Sequence, residues 1–318
     1  MLKTKIRFKY GLMTADSILV LKHGALGDVI QAMDAFAGLR QAHPEAEITL
    51  LTTAPFARLL AASNWFDHIL VDPRLPGWRL DQALRLRSFF AQGWDMVIDL
   101  QCSARTKRYH KYFFAKQSGR WFGDAKGCSD PIPDFTNVNN RDRMVRTCLA
   151  AGAIETNASI DWLAQSSQQQ LPSEQYCVLI PGCSAAQPSK RWPASHFTAL
   201  GRLAIQAGIR PLLVGTNIDA EAVGAVHQGL PEAVNLLAQT SLADLAALAA
   251  SSQFVVGNDT GPTFLAARSG QPTIMVMGKD TDPSMSAPLG AKAGYLRAEA
   301  IGDITAQQIF DKALSMRA

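Results

Sequence analysis

From residue 17 onward, short apolar runs alternate with stretches whose apolar residues recur every three or four positions. "SILVLK" (17–22) leads into "DVIQAMDAFAGLRQA", "EITLLTT" (47–53) into "APFARLLAAS", and "DHILVD" (67–72) into "DQALRLRSFFAQ", with "DMVIDLQ" (95–101) following. The apolar runs are short and nearly unbroken, the pattern of strands buried on both faces of a parallel sheet. Their alternation with helical periods predicts a doubly wound α/β domain.

The rhythm stops at "QSSQQQLPSE" (165–174), a polar, Gln/Ser-rich segment with a proline that reads as a linker. It then restarts with "YCVLIPG" (176–182), a helix from Pro193, "GIRPLLVG" (208–215), a helix near 218–228 and "AVNLLA". "SLADLAALAAS", "QFVVGND" (253–259), a helix after Thr260, "PTIMVMG" (272–278) and a terminal helix in "TAQQIFDKALSMRA" complete it. The expectation is two Rossmann-like domains, 1–165 and 166–318, with parallel sheets facing an interdomain cleft at their strand C-termini.

Composition agrees with this and adds a charge asymmetry. The 318 residues are 47% hydrophobic and 18% charged, ordinary for a soluble globular protein. Net charge is +4, but residues 1–160 carry 21 Lys/Arg against 15 Asp/Glu, and residues 161–318 carry 10 against 12. A basic first half and a mildly acidic second half suggest different ligands. The five cysteines, Cys102, Cys128, Cys148, Cys177 and Cys183, form no C-x-x-C pair, which fits a reducing, cytosolic compartment. Asp16 interrupts the apolar part of the basic N-terminal stretch before a signal-peptide core forms, and no apolar run is long enough to span a membrane. The basic tip reads as a solvated tail that is able to touch an anionic membrane surface.

Three stretches carry candidate chemistry. "HGALGD" (23–28) places Asp28 in a small-residue turn between a strand and a helix. It has Gly24 and Gly27 but no G-x-G-x-x-G, and the second strand ends without a ribose-binding acid, so a dinucleotide loop is disfavoured. The stretch alone fits a helix-start carboxylate and a reactive one equally. "IPGCSAAQPSKRWPASHF" (180–197) puts Cys183 and Ser184 after a strand, close to a nucleophile elbow, but the frame reaches Ala186 at its fifth position and Pro188 follows. Its Lys190 lies on a loop at a strand end, either solvated or able to reach a phosphate. "VVGNDTGPTFLAARSG" (255–270) repeats the acid-bearing turn with Asp259, Thr260 and Gly261. This turn suits a diphosphate and sugar hydroxyls, or simple N-capping.

Together these stretches resemble the GT-B glycosyltransferases. More narrowly, "ALGDVIQAMDAF", "PGCSAAQPSKRWPASHF" and "NDTGPTFLAA…PTIMVMGKDTDP" resemble the ADP-heptose:lipopolysaccharide heptosyltransferases of glycosyltransferase family 9, in order from about residue 17 to 290. The resemblance implies an inverting, metal-independent transfer of heptose from ADP-heptose to a lipopolysaccharide inner-core sugar, with no cofactor. Asp28 would be the base that deprotonates the acceptor hydroxyl, a task a carboxylate suits if the closed cleft raises its pKa. Lys190 would hold the leaving ADP. Cys183 and Ser184 would lie near the phosphates, and Asp259, Thr260 and Gly261 at the heptose and diphosphate. Thr240 would stand on the adenine side and Glu221 at the ribose. The implied setting is the cytoplasm, with peripheral contact at the inner membrane; no obligate protein partner is evident.

The acceptor side is expected to include Gly24 and Gly27, together with Arg105, Lys107, Arg108 and Lys111 of "CSARTKRYHKYFFAK" (102–116), a cluster that would attract an acidic core sugar or else form a solvated helix face. Tyr109, Tyr112, Phe113 and Phe114 read as core rather than as nucleic-acid stacking platforms. His23 is the histidine nearest the site; His43, His68, His110, His196 and His227 have no ligand spacing. Two departures concern the donor side: Phe264 stands where the family has a histidine, and "GKDTDP" carries one residue more than the family's G-P-T-D-P. They leave open another nucleotide sugar, and Phe264 leaves open a non-catalytic binding homologue. A protein acceptor, as in autotransporter heptosyltransferases, is a separate alternative that the positive 105–111 cluster argues against. Asp28, Lys190 and Asp259 together speak for an enzyme.

Overall fold

The structure is a computed structural model that describes residues 15–75, 79–132, 137–184 and 187–317. The basic tip and Ala186 of the elbow frame lie outside these residues. The chain divides into two compact units between Asn157 and Ala158, rather than after residue 165. The reason is local. Helical turn Asp161–Ala164 packs against helix Leu242–Ser251, and Ser167 donates to Asp244 at 2.6 Å. The segment read as a linker is thus tied to the second unit.

The first unit comprises β1 Ser17–Leu21, α1 Leu26–Gln31, α2 Met33–Ala42, β2 Glu47–Thr52, α3 Ala54–Leu60 and β3 His68–Val71. It continues through α4 Leu80–Phe90, β4 Met96–Asp99, α5 Ala104–Tyr109, β5 Arg120–Gly123, β6 Asp130–Pro131 and α6 Asn140–Ala150. Its strands pair in parallel in the order β3-β2-β1-β4-β5-β6. This is the doubly wound order, reversing between β1 and β4. The central strand is fully buried from Ile18 to Leu21, whereas the edge strand β3 is mostly exposed despite its apolar sequence. The single helix expected from Asp28 onward is divided at Ala32 into α1 and α2. β5 and β6 were not expected. Trp121 buries one face of β5 among the aromatic rings of Phe90, Tyr109 and Phe114, Phe122 is buried on the other, and β6 is only two residues long.

The second unit repeats the plan with α7 Asp161–Ala164, β7 Tyr176–Ile180, α8 Ala194–Gln206, β8 Arg210–Gly215, α9 Ala220–Gly229, β9 Val234–Leu237 and α10 Leu242–Ser251. It ends with β10 Val255–Asn258, α11 Gly261–Ala267, β11 Thr273–Met277, α12 Pro283–Ser286, β12 Ala293–Arg297 and α13 Ala306–Ser315. The parallel order is β12-β11-β10-β7-β8-β9, reversing between β7 and β10. The edge strand β12 was not expected; its half-exposed "AGYLR" lacks the apolar run of a central strand. Each reversal separates two outgoing chains at the strand C-termini, the place where open α/β sheets take ligands.

Candidate active site

In the first unit a cavity of about 400 Å³ opens at that reversal, lined by the loops that follow β1, β2, β3 and β4. Asp28, Arg74 and Arg105 bring charge to it. Gly24 sits at φ +135°, a conformation L side chains avoid, and a Cβ there would lie 2.5 Å from the Phe56 ring. A glycine therefore makes the turn that delivers Asp28. Gly27 is the second residue of α1 and does not line the cavity.

Asp28 occupies the third position of α1, where its Oδ2 accepts the Ala25 N–H at 3.3 Å. It is thus a helix-start residue. It is also more than that, because its side chain is 42% exposed at the cavity and Oδ1 accepts Asn140 Nδ2 at 2.9 Å. Asn140 opens α6, which a buried ion pair fastens to α2: Arg141 Nε donates to Asp34 Oδ2 at 2.8 Å. Lys22, only 2% exposed, brings its Nζ to 3.9 Å from Asp28 Oδ2. Burial drives the Lys22 pKa down to about 8, partly opposed by Asp28.

His23 Nε2 lies 3.2 Å from Asp72 Oδ2. Asp72 also accepts from the Tyr109 hydroxyl, from Gln82 Nε2 at 3.0 Å and from the Arg74 N–H at 2.8 Å. Burial alone would raise the Asp72 pKa, but the close His23 ring and the Tyr109 hydrogen bond outweigh it and bring it to about 2. Of the basic cluster, only Arg105 lines the cavity; its guanidinium donates to the Leu75 carbonyl at 2.8 Å. Lys107 pairs with Asp124 at 2.8 Å, and Arg108 and Lys111 face solvent, Lys111 over the exposed Tyr112 ring. Tyr109 and Phe114 are buried as expected and Phe113 is half-buried, but Tyr112, also expected in the core, is exposed because it falls on the outward face of the helix.

Among the described residues one group of ligand-type atoms, from Asp99, Cys102 and Asp124, lies within 4.8 Å. Burial raises the Asp99 pKa to about 6 and the Cys102 pKa to about 12, and Asp124 is taken by Lys107, so the group is poorly prepared to ligate a cation. The Asp99 Oδ1 instead accepts the N–H groups of Gln101 and Cys102, shaping the turn after β4.

In the second unit Lys190 and Asp259 meet across the strand reversal, with Nζ to Oδ2 at 2.6 Å. Thr281 Oγ1 donates to the same oxygen at 2.7 Å. Beneath them the buried Asn258 donates to the Pro181 and Gly182 carbonyls and accepts the Trp192 N–H at 2.9 Å, locking the loop after β7 to β10. Thr260 stands at the N-cap position of α11 without a side-chain cap, its hydroxyl lying 3.2 Å from that of Thr263, and Gly261 begins the helix. The Cys183 thiol is buried toward the Ser184 and Gln187 carbonyls, while Ser184 is exposed. Glu221 and Thr240 follow β8 and β9, at the same sheet end; the exposed Glu221 carboxylate is 3.7 Å from Arg191. Phe264 is packed into the interior.

Sequence reasoning missed Lys22, Arg74, Asn140, Asn258 and Thr281. The first is visible in sequence as a lysine ending an apolar strand run; Arg74 is placed by the loop after β3 alone, and Asn140, Asn258 and Thr281 act through partners remote in the chain.

Two doubly wound units with all-parallel sheets and acid-bearing turns at their strand ends define the GT-B class. The family model described as glycosyltransferase family 9 (heptosyltransferase) matches residues 144–313. The chain is 34% identical over 311 residues to lipooligosaccharide heptosyltransferase 2 of Haemophilus influenzae, covering 88% of each. It is 24% identical to lipopolysaccharide heptosyltransferase 1 of Escherichia coli, covering 94% of this chain and 99% of that one. The E. coli heptosyltransferase WaaC with ADP shares the fold at a TM-score of 0.77, with 21% identity over 95% of this chain and 99% of that one. The protein belongs to glycosyltransferase family 9, the heptosyltransferases, and is an enzyme.

Proposed function

We propose that this enzyme moves heptose from ADP-heptose to a lipopolysaccharide core sugar with inversion, using Asp28 as general base and no metal ion. The observation that carries the reading is the Asp28 carboxylate at the charged cavity, held by Asn140 and Ala25 yet open to an incoming hydroxyl. The acceptor oxygen attacks the anomeric carbon as its proton passes to Asp28, and the anomeric C–O bond to the diphosphate breaks. Lys190 meets the negative charge that develops on the leaving ADP. Asp259 holds Lys190 in place before the donor arrives and accepts hydrogen bonds from the sugar. Arg74 and Arg105 suit an acceptor that carries acid groups.

The names of the relatives support the donor and acceptor: lipooligosaccharide and lipopolysaccharide heptosyltransferases among the curated proteins, and a structure with ADP-2-deoxy-2-fluoro heptose among the folds. No helix among the described residues is long and apolar enough to cross a membrane; work at the cytoplasmic face of the inner membrane is part of the proposal. A second donor is favoured by one observation: Phe264 turns into the interior and offers no polar atom where the family pattern has a histidine. The test is ADP release from ADP-heptose with heptose-deficient core lipopolysaccharide, in the presence of a chelator. Acceptor-dependent release supports donor, acceptor and metal independence. Release that starts only with another nucleotide sugar selects the second reading.

A further inference from the structure

Lys22 is a full-length cation set under a carboxylate. It follows β1 directly, its backbone N–H is bonded to the Leu51 carbonyl at 3.1 Å, and its side chain is almost entirely enclosed. At 3.9 Å from Asp28 Oδ2, the ammonium is beyond hydrogen-bond distance and acts through charge alone. The direct partners of the carboxylate, Asn140 and Ala25, are neutral. When an acceptor fills the cavity it strips water from Asp28, which disfavours the ionised carboxylate that a base must be.

We propose that Lys22 is a positioning residue for the transfer, whose enclosed ammonium keeps Asp28 ionised in the substrate-filled site. This rests on Asp28 being the base. Among the described residues, three of the four charged or titratable groups facing Lys22 favour a cation there and one opposes it. Asp28 itself comes from α1, Asp99 from β4, Cys102 from the turn after β4, and Arg143 from α6. Arg143 opposes the charge on Lys22; its Nη2 is committed to the Leu100 carbonyl and Asn140 Oδ1, both at 3.0 Å. Asp99 spends one oxygen on the N–H groups of the turn. The lowered pKa of the lysine records the cost of keeping a charge there.

The test is the pH dependence of kcat, which reports groups in the substrate complex, for the full chain and its variants Lys22→Met, Lys22→Arg and Asp28→Asn. Lys22→Met keeps the length of the side chain and removes a charge that burial disfavours, so it is expected to fold; thermal unfolding checks this. Its acid limb is expected to move up by about one pH unit, with kcat lowered about tenfold at the foot of the limb and within about threefold of wild type on the plateau. Lys22→Arg restores the wild-type limb. A structural role would instead lower kcat at all pH values equally, and that result, or an unmoved limb in Lys22→Met, overturns the proposal. If Lys22→Met does not fold, a limb in Lys22→Arg that departs from wild type overturns it and an unchanged limb supports it. An active Asp28→Asn overturns the base assignment and the proposal with it, whereas an inactive one beside an unmoved Lys22→Met limb removes the Lys22 proposal alone.

Discussion

Lys190 Nζ donates to Asp259 Oδ2 at 2.6 Å, joining the loop after β7 to the turn after β10 where the strand order reverses. The two residues are 17% and 7% exposed, so the pair is largely withdrawn from water. Lys190→Met should lower kcat by about 100-fold, the scale for losing one charge-stabilising donor. It should also cost about 3 kcal/mol of stability, because among the described residues Asp259 is left with Thr281 as its remaining polar partner. Steady-state kinetics and urea unfolding separate the two effects.

Asn140 is the direct side-chain partner of Asp28, and Arg141 anchors its helix to Asp34. Asn140→Ala removes a hydrogen bond to a charged group, worth about 1.5–3 kcal/mol, and should lower kcat/KM by about tenfold or more. Arg141→Ala should produce a similar loss by releasing the start of α6, with a larger fall in thermal midpoint.

Gly24→Ala meets two obstacles, the φ of +135° and the ring of Phe56. We expect a loss of about 2 kcal/mol together with most activity. Adding Phe56→Ala should relieve the clash and leave the backbone strain, so the double variant recovers part of the stability only.

The Lys22 pKa, lowered by burial from 10.5 to about 8, makes stability depend on pH. Between these values the unfolded chain binds a proton that the native state has released, so stability rises with pH across the window. The gain attributable to Lys22 is roughly 3 kcal/mol by pH 10.5, and its whole cost is felt below pH 8. Denaturant midpoints at pH 7 and pH 10 should therefore differ more in the wild type than in Lys22→Met.

Local signals made the strand-end turns legible. An acid in a glycine-bearing turn between a buried strand and a helix start locates Asp28 and Asp259 without a structure. The companions of these residues are non-local. Asn140 lies far along the chain from Asp28, and nothing in "NVNNRDRM" marks it apart from Arg141 or Arg143. The cluster at 105–111 shows what helical phase does to a charge run. Arg105 and Tyr109, four apart, turn inward, while Lys107, Arg108 and Lys111 turn out. Position in the sheet did not decide legibility: the edge strands β3 and β9 were readable, whereas β6 has two residues, β12 carries too little apolar sequence to declare itself, and the interior strand β5 was missed as well.

The most direct measurement is acceptor-dependent release of ADP from ADP-heptose by wild type and Asp28→Asn, with donor binding measured alongside. Asparagine keeps the shape of the side chain and can still accept the Ala25 N–H, but it cannot take a proton from a hydroxyl. The account predicts that turnover falls by at least about 100-fold while donor affinity stays within a few-fold. Turnover that survives in Asp28→Asn would contradict it and leave Asp28 as the helix-start residue of α1.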